Sequence, residues 1–198
     1  TTDNNRGAYR SQEFPASAYA AQISHLDSCI GEIVKKIESL GLSEETIFMF
    51  SSDNGPHSEG GANPNYFKSS GPLRGKKRDL YEGGIRVPFI VKWDGKIEPN
   101  TVSNTPSAFW DIFATVEDLA GIKVKSKNDG VSLMPTLLGK TEKQEKHNYL
   151  YWEFHENPST DQAIRQGKWK AVRHDPKGEI ELYDLSKDLG ETENITSK

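Results

Sequence analysis

Thr46-Ile47-Phe48-Met49-Phe50-Ser51-Ser52-Asp53-Asn54-Gly55 is the stretch on which the fold turns. Its first half is an unbroken apolar run without alternation, the pattern of a strand buried on both faces, as in a parallel sheet. Working back from it, Tyr19, Ile23, Leu26, Ile30, Ile33, Ile37 and Leu40 recur at steps of three and four. They draw one apolar stripe on a helix of about five turns. Gly41 then supplies the residue most tolerant of a left-handed helix end. Helix followed by strand is the later part of a βαβ unit. The unit's first strand is expected to be absent, so the chain reads as a mature or truncated piece that starts Thr1-Thr2-Asp3-Asn4-Asn5.

Working forward, residues 53–84 carry little periodicity and much Gly, Pro, Asn and Ser. A stretch of that length and composition inside a compact domain is expected to build a site. Ile85-Arg86-Val87-Pro88-Phe89-Ile90-Val91-Lys92-Trp93 reads as another strand, and Pro88 places it at an edge or confines its ladder to later residues. Phe109, Ile112, Phe113, Val116, Leu119 and Ala120 outline a second amphipathic helix closed by Gly121. The last third changes character. Residues 149–154, 163–165, 168–173 and 180–185 are short aromatic-rich strands, with Gln166-Gly167 and Pro176-Lys177-Gly178 marking turns. The expected fold class is α/β: a portion of a doubly wound core over residues 1–140 and a small antiparallel β subdomain over 141–198.

Composition narrows the function classes. The 198 residues are 34% apolar, 27% charged and 10% aromatic with four Trp, which excludes a disordered chain. A net charge of −4 excludes a generally basic nucleic-acid binder, though not a local anion site. No apolar run is long enough to span a membrane. The single cysteine, Cys29, rules out an intrachain disulfide and a thiolate zinc cage, and its place beside the first helix's apolar stripe marks it as structural.

Three segments could carry chemistry. Asp53 and Asn54 follow the buried strand, at the carboxyl end where open α/β sheets bind ligands. A carboxylate beside a carboxamide oxygen suits a hard cation such as Ca²⁺ or Mg²⁺. Asn-Gly is equally a common hairpin turn, and two ligands fall short of the roughly six to eight that Ca²⁺ takes. Next comes Gly71-Pro72-Leu73-Arg74-Gly75-Lys76-Lys77-Arg78, preceded by Lys68. From Gly60 to Arg78 there are five basic residues and no acidic one, which makes either an anion pocket or a solvated basic loop. Third, Tyr81-Glu82-Gly83-Gly84-Ile85-Arg86-Val87-Pro88 signals a sharp turn with close backbone approach, and Glu82 is the nearest partner for Arg86.

In this order and spacing the three segments resemble the sulfatase family, the arylsulfatase-like hydrolases of the alkaline phosphatase superfamily. The likeness continues through Tyr149-Leu150-Tyr151-Trp152-Glu153-Phe154, Ile164-Arg165-Gln166-Gly167-Lys168-Trp169-Lys170 and Leu182-Tyr183-Asp184-Leu185, which are similar to the family's C-terminal antiparallel sheet. The resemblance implies that Asp53 and Asn54 are metal ligands, to Ca²⁺ with Mg²⁺ as the substitute. It implies that Lys77 is the catalytic lysine contacting the sulfate ester and steadying the leaving oxygen. His57 and Arg74 are the substrate-subsite residues it suggests. The implied substrate is a sulfated carbohydrate or an aryl sulfate, and the implied location is secreted, periplasmic or lysosomal.

Departures from the family limit what the chain does alone. No Cys-x-Pro-x-Arg occurs, and no Asp-Asp pair. The nucleophile, a formylglycine made from the first residue of that signature (Cys or Ser), is expected in a missing N-terminal part together with the rest of the metal shell. The chain by itself is therefore expected to be inactive. It is expected either to stay with that missing half or to self-associate through an exposed sheet edge. Two alternatives remain open at this point: a phosphoester or phosphonate hydrolase of the same superfamily, and a non-catalytic glycan-binding module.

Overall fold

The computed structural model describes residues 13–122, 127–156 and 159–196. Its first element is helix α1, Pro15–Ser39. Pro15 sits in the opening turn, where a missing N–H costs nothing, and Gly41 follows the helix at φ 69°. Strand β1, Phe48–Ser51, comes next, then a long loop holding the one-turn helices α2, Pro64–Phe67, and α3, Glu82–Ile85. Strand β2 spans Phe89–Lys92, helix α4 Trp110–Ala120 and the short α5 Met134–Leu137. The chain ends in strands β3, Leu150–Glu156, β4, Ser159–Gln166, β5, Trp169–Arg173, and β6, Glu181–Asp184.

β3 to β6 form an antiparallel meander in sequence order, with Gly167 at φ 58° turning β4 into β5. This is the C-terminal sheet that the aromatic pattern predicts. The core cluster draws Leu80 and Tyr81 from the long loop together with Ala163, Val172, Tyr183 and Leu185 from the meander. Each buried aliphatic side chain there contributes roughly 1.5–3 kcal/mol.

Three local expectations are corrected. β1 pairs antiparallel with β2, Phe48 opposite Lys92 and Ser51 opposite Phe89, and is half-buried rather than enclosed in a parallel ladder. An apolar run reports burial but not direction. Here the chain returns along β1 through a loop, with no helical crossover of the kind a parallel neighbour needs. Second, residues 85–88 are not strand: Ile85 ends α3, and the ladder starts after Pro88, as the second of the two readings of that proline expects. Third, α4 turns its polar side inward. Asp111 and Thr115 are its buried residues, whereas Phe109, Phe113 and Val116 stay about half exposed. Asp111 accepts from the backbone N–H of Ala108 and Val131, 2.7 and 2.9 Å, and contacts His147 Nε2 at 2.7 Å. Thr115 Oγ1 accepts from Leu133 N–H at 2.9 Å. Satisfied hydrogen bonds make that polar burial tolerable.

Candidate active site

β1 delivers residues 52–57 to its carboxyl end, where the basic loop and the α3 turn close around them. Gly55 N–H donates to Gly84 O at 2.8 Å, Lys77 N–H to Pro56 O at 2.8 Å, and Gly83 N–H to Arg74 O at 2.6 Å. The approach is too close for side chains. A Cβ on Gly55 would lie 1.9 Å from Gly83 O, and one on Gly84 would lie 2.0 Å from Asp79 O. The glycines are thus what lets three segments, separate in sequence, share one place.

At that place Asp53 is exposed and Asn54 half-buried. Asn54 Nδ2 donates to Gly55 O at 2.8 Å, which leaves its Oδ1 as an acceptor, and Ser52 Oγ holds the Asn54 carbonyl at 2.9 Å. One carboxylate and one carboxamide oxygen on adjacent residues match the donor chemistry of a hard divalent ion and would make up only part of the shell such an ion takes. Among the described residues no three His, Cys, Asp or Glu side chains gather to complete it.

Lys77 is half-buried and its Nζ donates to Glu59 Oε2 at 3.2 Å. Arg78 grips the other oxygen of Glu59 at 2.5 Å and reaches Glu156 Oε2 at 2.5 Å. The Arg78 hydrogen bond foremost, and Lys77 after it, hold the Glu59 carboxyl down to about 2. His57 Nδ1 accepts from Glu59 N–H at 3.1 Å and lies 3.9 Å from its carboxylate. Glu59 thus organises both His57 and Lys77. It lies one residue before the acid-free basic window, so a count over that window passes it by.

Arg74 faces the meander. Its guanidinium donates to Tyr183 OH at 2.9 Å and Glu191 O at 3.0 Å, and stacks 3.8 Å above the Tyr81 ring. Arg74 also closes the only Ser-x-Pro-x-Arg in the chain, Ser70-Gly71-Pro72-Leu73-Arg74, so the serine form of the nucleophile signature is not absent from the sequence. In the fold Ser70 Oγ donates to Gly75 O at 3.0 Å, and the segment works as a turn of the basic loop. Tyr81 OH bonds His174 at 2.9 Å and Glu181 at 2.5 Å. Burial and the Glu181 hydrogen bond push the Tyr81 hydroxyl well above its ordinary value and that of Tyr183 up to about 12, so both stay protonated donors.

Behind the site lies a buried charge cluster. Lys170 Nζ sits 3.0 Å from Glu82 Oε1 and 2.8 Å from Glu191 Oε1, with Arg86 at 3.3 Å and Arg165 at 4.0 Å from Glu82. Glu191 Oε2 also accepts the Glu82 backbone N–H at 2.6 Å. The Arg86–Glu82 pair is the one the sequence suggested, but Arg86 caps α3 and is exposed. Lys170 was legible only as a lysine two residues before Val172 on the inner face of a strand; both are buried.

The family model described as Sulfatase matches residues 2–122, and that described as N-sulphoglucosamine sulphohydrolase, C-terminal, matches residues 75–198. Steryl-sulfatase of Mus musculus is 35% identical over 167 residues, which is 80% of this chain and 26% of that protein. Arylsulfatase A of Homo sapiens is 32% identical over 206 residues, 89% of this chain and 38% of that protein. The solved complex of BT4656 with its substrate D-glucosamine-2-N,6-O-disulfate superposes with a TM-score of 0.73 at 27% identity, covering 91% of this chain and 36% of that one. The chain spans about a quarter to two fifths of the length of such relatives.

Proposed function

Because the chain belongs to the sulfatase family, we propose that it forms the metal-binding and leaving-group side of the active site of a sulfuric ester hydrolase. The observation that carries the reading is the pair of 2.8 Å backbone bonds, Gly55 to Gly84 and Pro56 to Lys77. They bring the oxygen-bearing strand end against the cationic loop, as a site for an oxyanion beside a divalent ion requires.

In this reading Asp53 and Asn54 hold Ca²⁺, or Mg²⁺ in its stead. The bound ion supplies neutralisation of the ester oxygens, and a formylglycine outside these residues supplies the nucleophile. Lys77 acts on the other end of the scissile bond. Its compact ammonium stabilises the negative charge that gathers on the bridging oxygen as the S–O bond breaks. Glu59 orients that ammonium, and Arg78 anchors Glu59. His57 lines the substrate side, whereas Arg74 positions the loop against the meander. The substrate class is a sulfated carbohydrate or aryl sulfate, supported by the sugar disulfate bound to BT4656. A secreted, periplasmic or lysosomal setting goes with the family. No helix among the described residues is long and apolar enough to cross a membrane.

The test compares 4-nitrophenyl sulfate with 4-nitrophenyl phosphate, using this chain joined to a formylglycine-bearing segment. Faster sulfate release is expected. Preference for phosphate would assign the chain to the superfamily's phosphoester hydrolases instead. For the 198 residues alone no turnover of either ester is expected.

A further inference from the structure

The chain after β6 turns back against the basic loop. Asp188 shapes that turn, accepting the N–H groups of Thr192 and Glu193 at 2.8 Å each. A Cβ on Gly190 would lie 3.0 Å from Pro72 O, so the two backbones nearly touch. Glu191 follows, fully buried and at φ 53°, in the left-handed region where a residue with a side chain is uncommon. A glycine would hold that backbone at less cost, so the contacts of the side chain have to supply the reason for a glutamate.

Those contacts lie at the base of the loop that carries Lys77. The loop closes where Gly83 N–H donates to Arg74 O at 2.6 Å, and its tip is a turn in which Asp79 N–H donates to Lys76 O at 2.9 Å. Glu191 takes hold of both arms of the base. Its carbonyl accepts from the Arg74 guanidinium at 3.0 Å, and its Oε2 accepts from Glu82 N–H at 2.6 Å. The other carboxylate oxygen is fixed by Lys170 Nζ at 2.8 Å.

Resting on the reading above, we propose that Glu191 is a positioning residue for Lys77: by clamping residues 74 and 82 it fixes where the leaving-group ammonium stands. Stabilising charge on a departing oxygen requires the cation to be in place beforehand, and a displacement of about 1 Å costs on the order of a hundredfold in rate. Pro56 and Glu59 hold Lys77 itself, and Glu191 holds the frame on which it is mounted.

The experiment measures kcat/KM of the nucleophile-bearing protein on two esters. 4-Nitrophenyl sulfate has a weakly basic leaving phenolate that needs little help, and phenyl sulfate has a more basic one that needs more. Lys77→Ala is expected to slow phenyl sulfate the more strongly. Glu191→Gln, which keeps the side chain's size and one oxygen acceptor, is expected to reproduce that skew, with a loss of roughly tenfold on phenyl sulfate and under about threefold on 4-nitrophenyl sulfate. Adding Glu191→Gln to Lys77→Ala is expected to cost nothing more, because both act through one ammonium. Equal slowing of the two esters by Glu191→Gln, or losses that multiply in the double variant, would overturn the assignment and leave Lys77 in its role. Absence of any skew in Lys77→Ala would overturn the reading of Lys77 and the clamp with it. Should Glu191→Gln fail to fold, Arg74→Gln decides, since it cuts the other arm and leaves the buried charges of Lys170, Glu82 and Glu191 untouched. The same skew is expected of it, and an even loss on both esters would overturn the clamp.

Discussion

Lys170 and Glu191 approach to 2.8 Å with both side chains fully shielded from water, one from β5 and the other from the segment after β6. Glu82 completes the group from the loop that carries the candidate site. Two carboxylates and one ammonium share a space that water does not reach, so each depends on the others. Lys170→Met is expected to lower stability by about 3–5 kcal/mol, because it leaves uncompensated buried charge. Burial raises the Glu191 carboxyl above its ordinary value, so the folded state keeps that proton more readily than the unfolded chain. Stability contributed by Glu191 therefore falls as pH rises, and removing Lys170 takes away the charge opposing that fall. Denaturant titrations should find a larger loss at about pH 8 than at about pH 5. An equal loss at both would contradict the charge argument.

Glu59 provides a pH test of the opposite sign. Its carboxyl is held at about 2 by Arg78 first and Lys77 second. A lowered acid contributes its stabilising contacts above the ordinary carboxylate range and loses them as pH falls toward about 2. Carboxyl ¹³C titration should find Glu59 moved back toward its ordinary value by Arg78→Ala more than by Lys77→Ala. The reverse order would mean that Lys77 is the principal partner.

Gly84→Ala should disrupt the junction of the three loops. The added methyl would meet Asp79 O at 2.0 Å and Lys76 O at 2.5 Å, both backbone atoms that cannot swing aside. A cost of roughly 2–3 kcal/mol is expected, with calcium affinity reduced because Gly84 O anchors the residue after Asn54. Calorimetric calcium titration that matches the unmodified chain would show the junction to be unimportant for Asp53 and Asn54.

In the nucleophile-bearing protein, Lys77→Ala should depress sulfate release far more than Lys76→Ala. Lys76 Nζ is bonded to Ser58 Oγ at 3.0 Å. Equal losses in steady-state assays would remove Lys77 from its proposed role.

Uncovered apolar surface leads to a further expectation. α1 has no buried residue, and Ile23, Leu26, Ile33 and Ile90 are 49%, 49%, 53% and 60% exposed. The chain on its own should therefore self-associate. Light scattering that finds a dispersed monomer would contradict this.

Much of this architecture was legible from residue order. The stripe from Tyr19 to Leu40 gave α1, short aromatic-rich runs separated by Gly and Pro turns gave the meander, and the Gly83-Gly84 pair announced the close approach that Gly55 meets. Strand direction was not legible, because Phe48 to Ser51 carries the same apolar signal whichever way its neighbour runs. The inward face of α4 was misjudged for a related reason: periodicity marks which side is apolar, and hydrogen-bonded Asp111 and Thr115 can be buried all the same. Glu59 and Lys170 escaped notice because their ion-pair partners, Lys77 and Arg78 for the one and Glu82 and Glu191 for the other, lie distant in sequence, where spacing says nothing.

Tyr81 lies in the loop, yet its ring is wedged beneath Arg74 and its hydroxyl is bound by Glu181 and His174 of the meander. Cleavage between α5 and β3 followed by separation of the two pieces would strip away the floor on which residues 74–84 rest. The C-terminal strands are thus inseparable from whatever chemistry occurs at the far end of β1, and grafting them from a relative would require residues 74–84 to be transplanted with them.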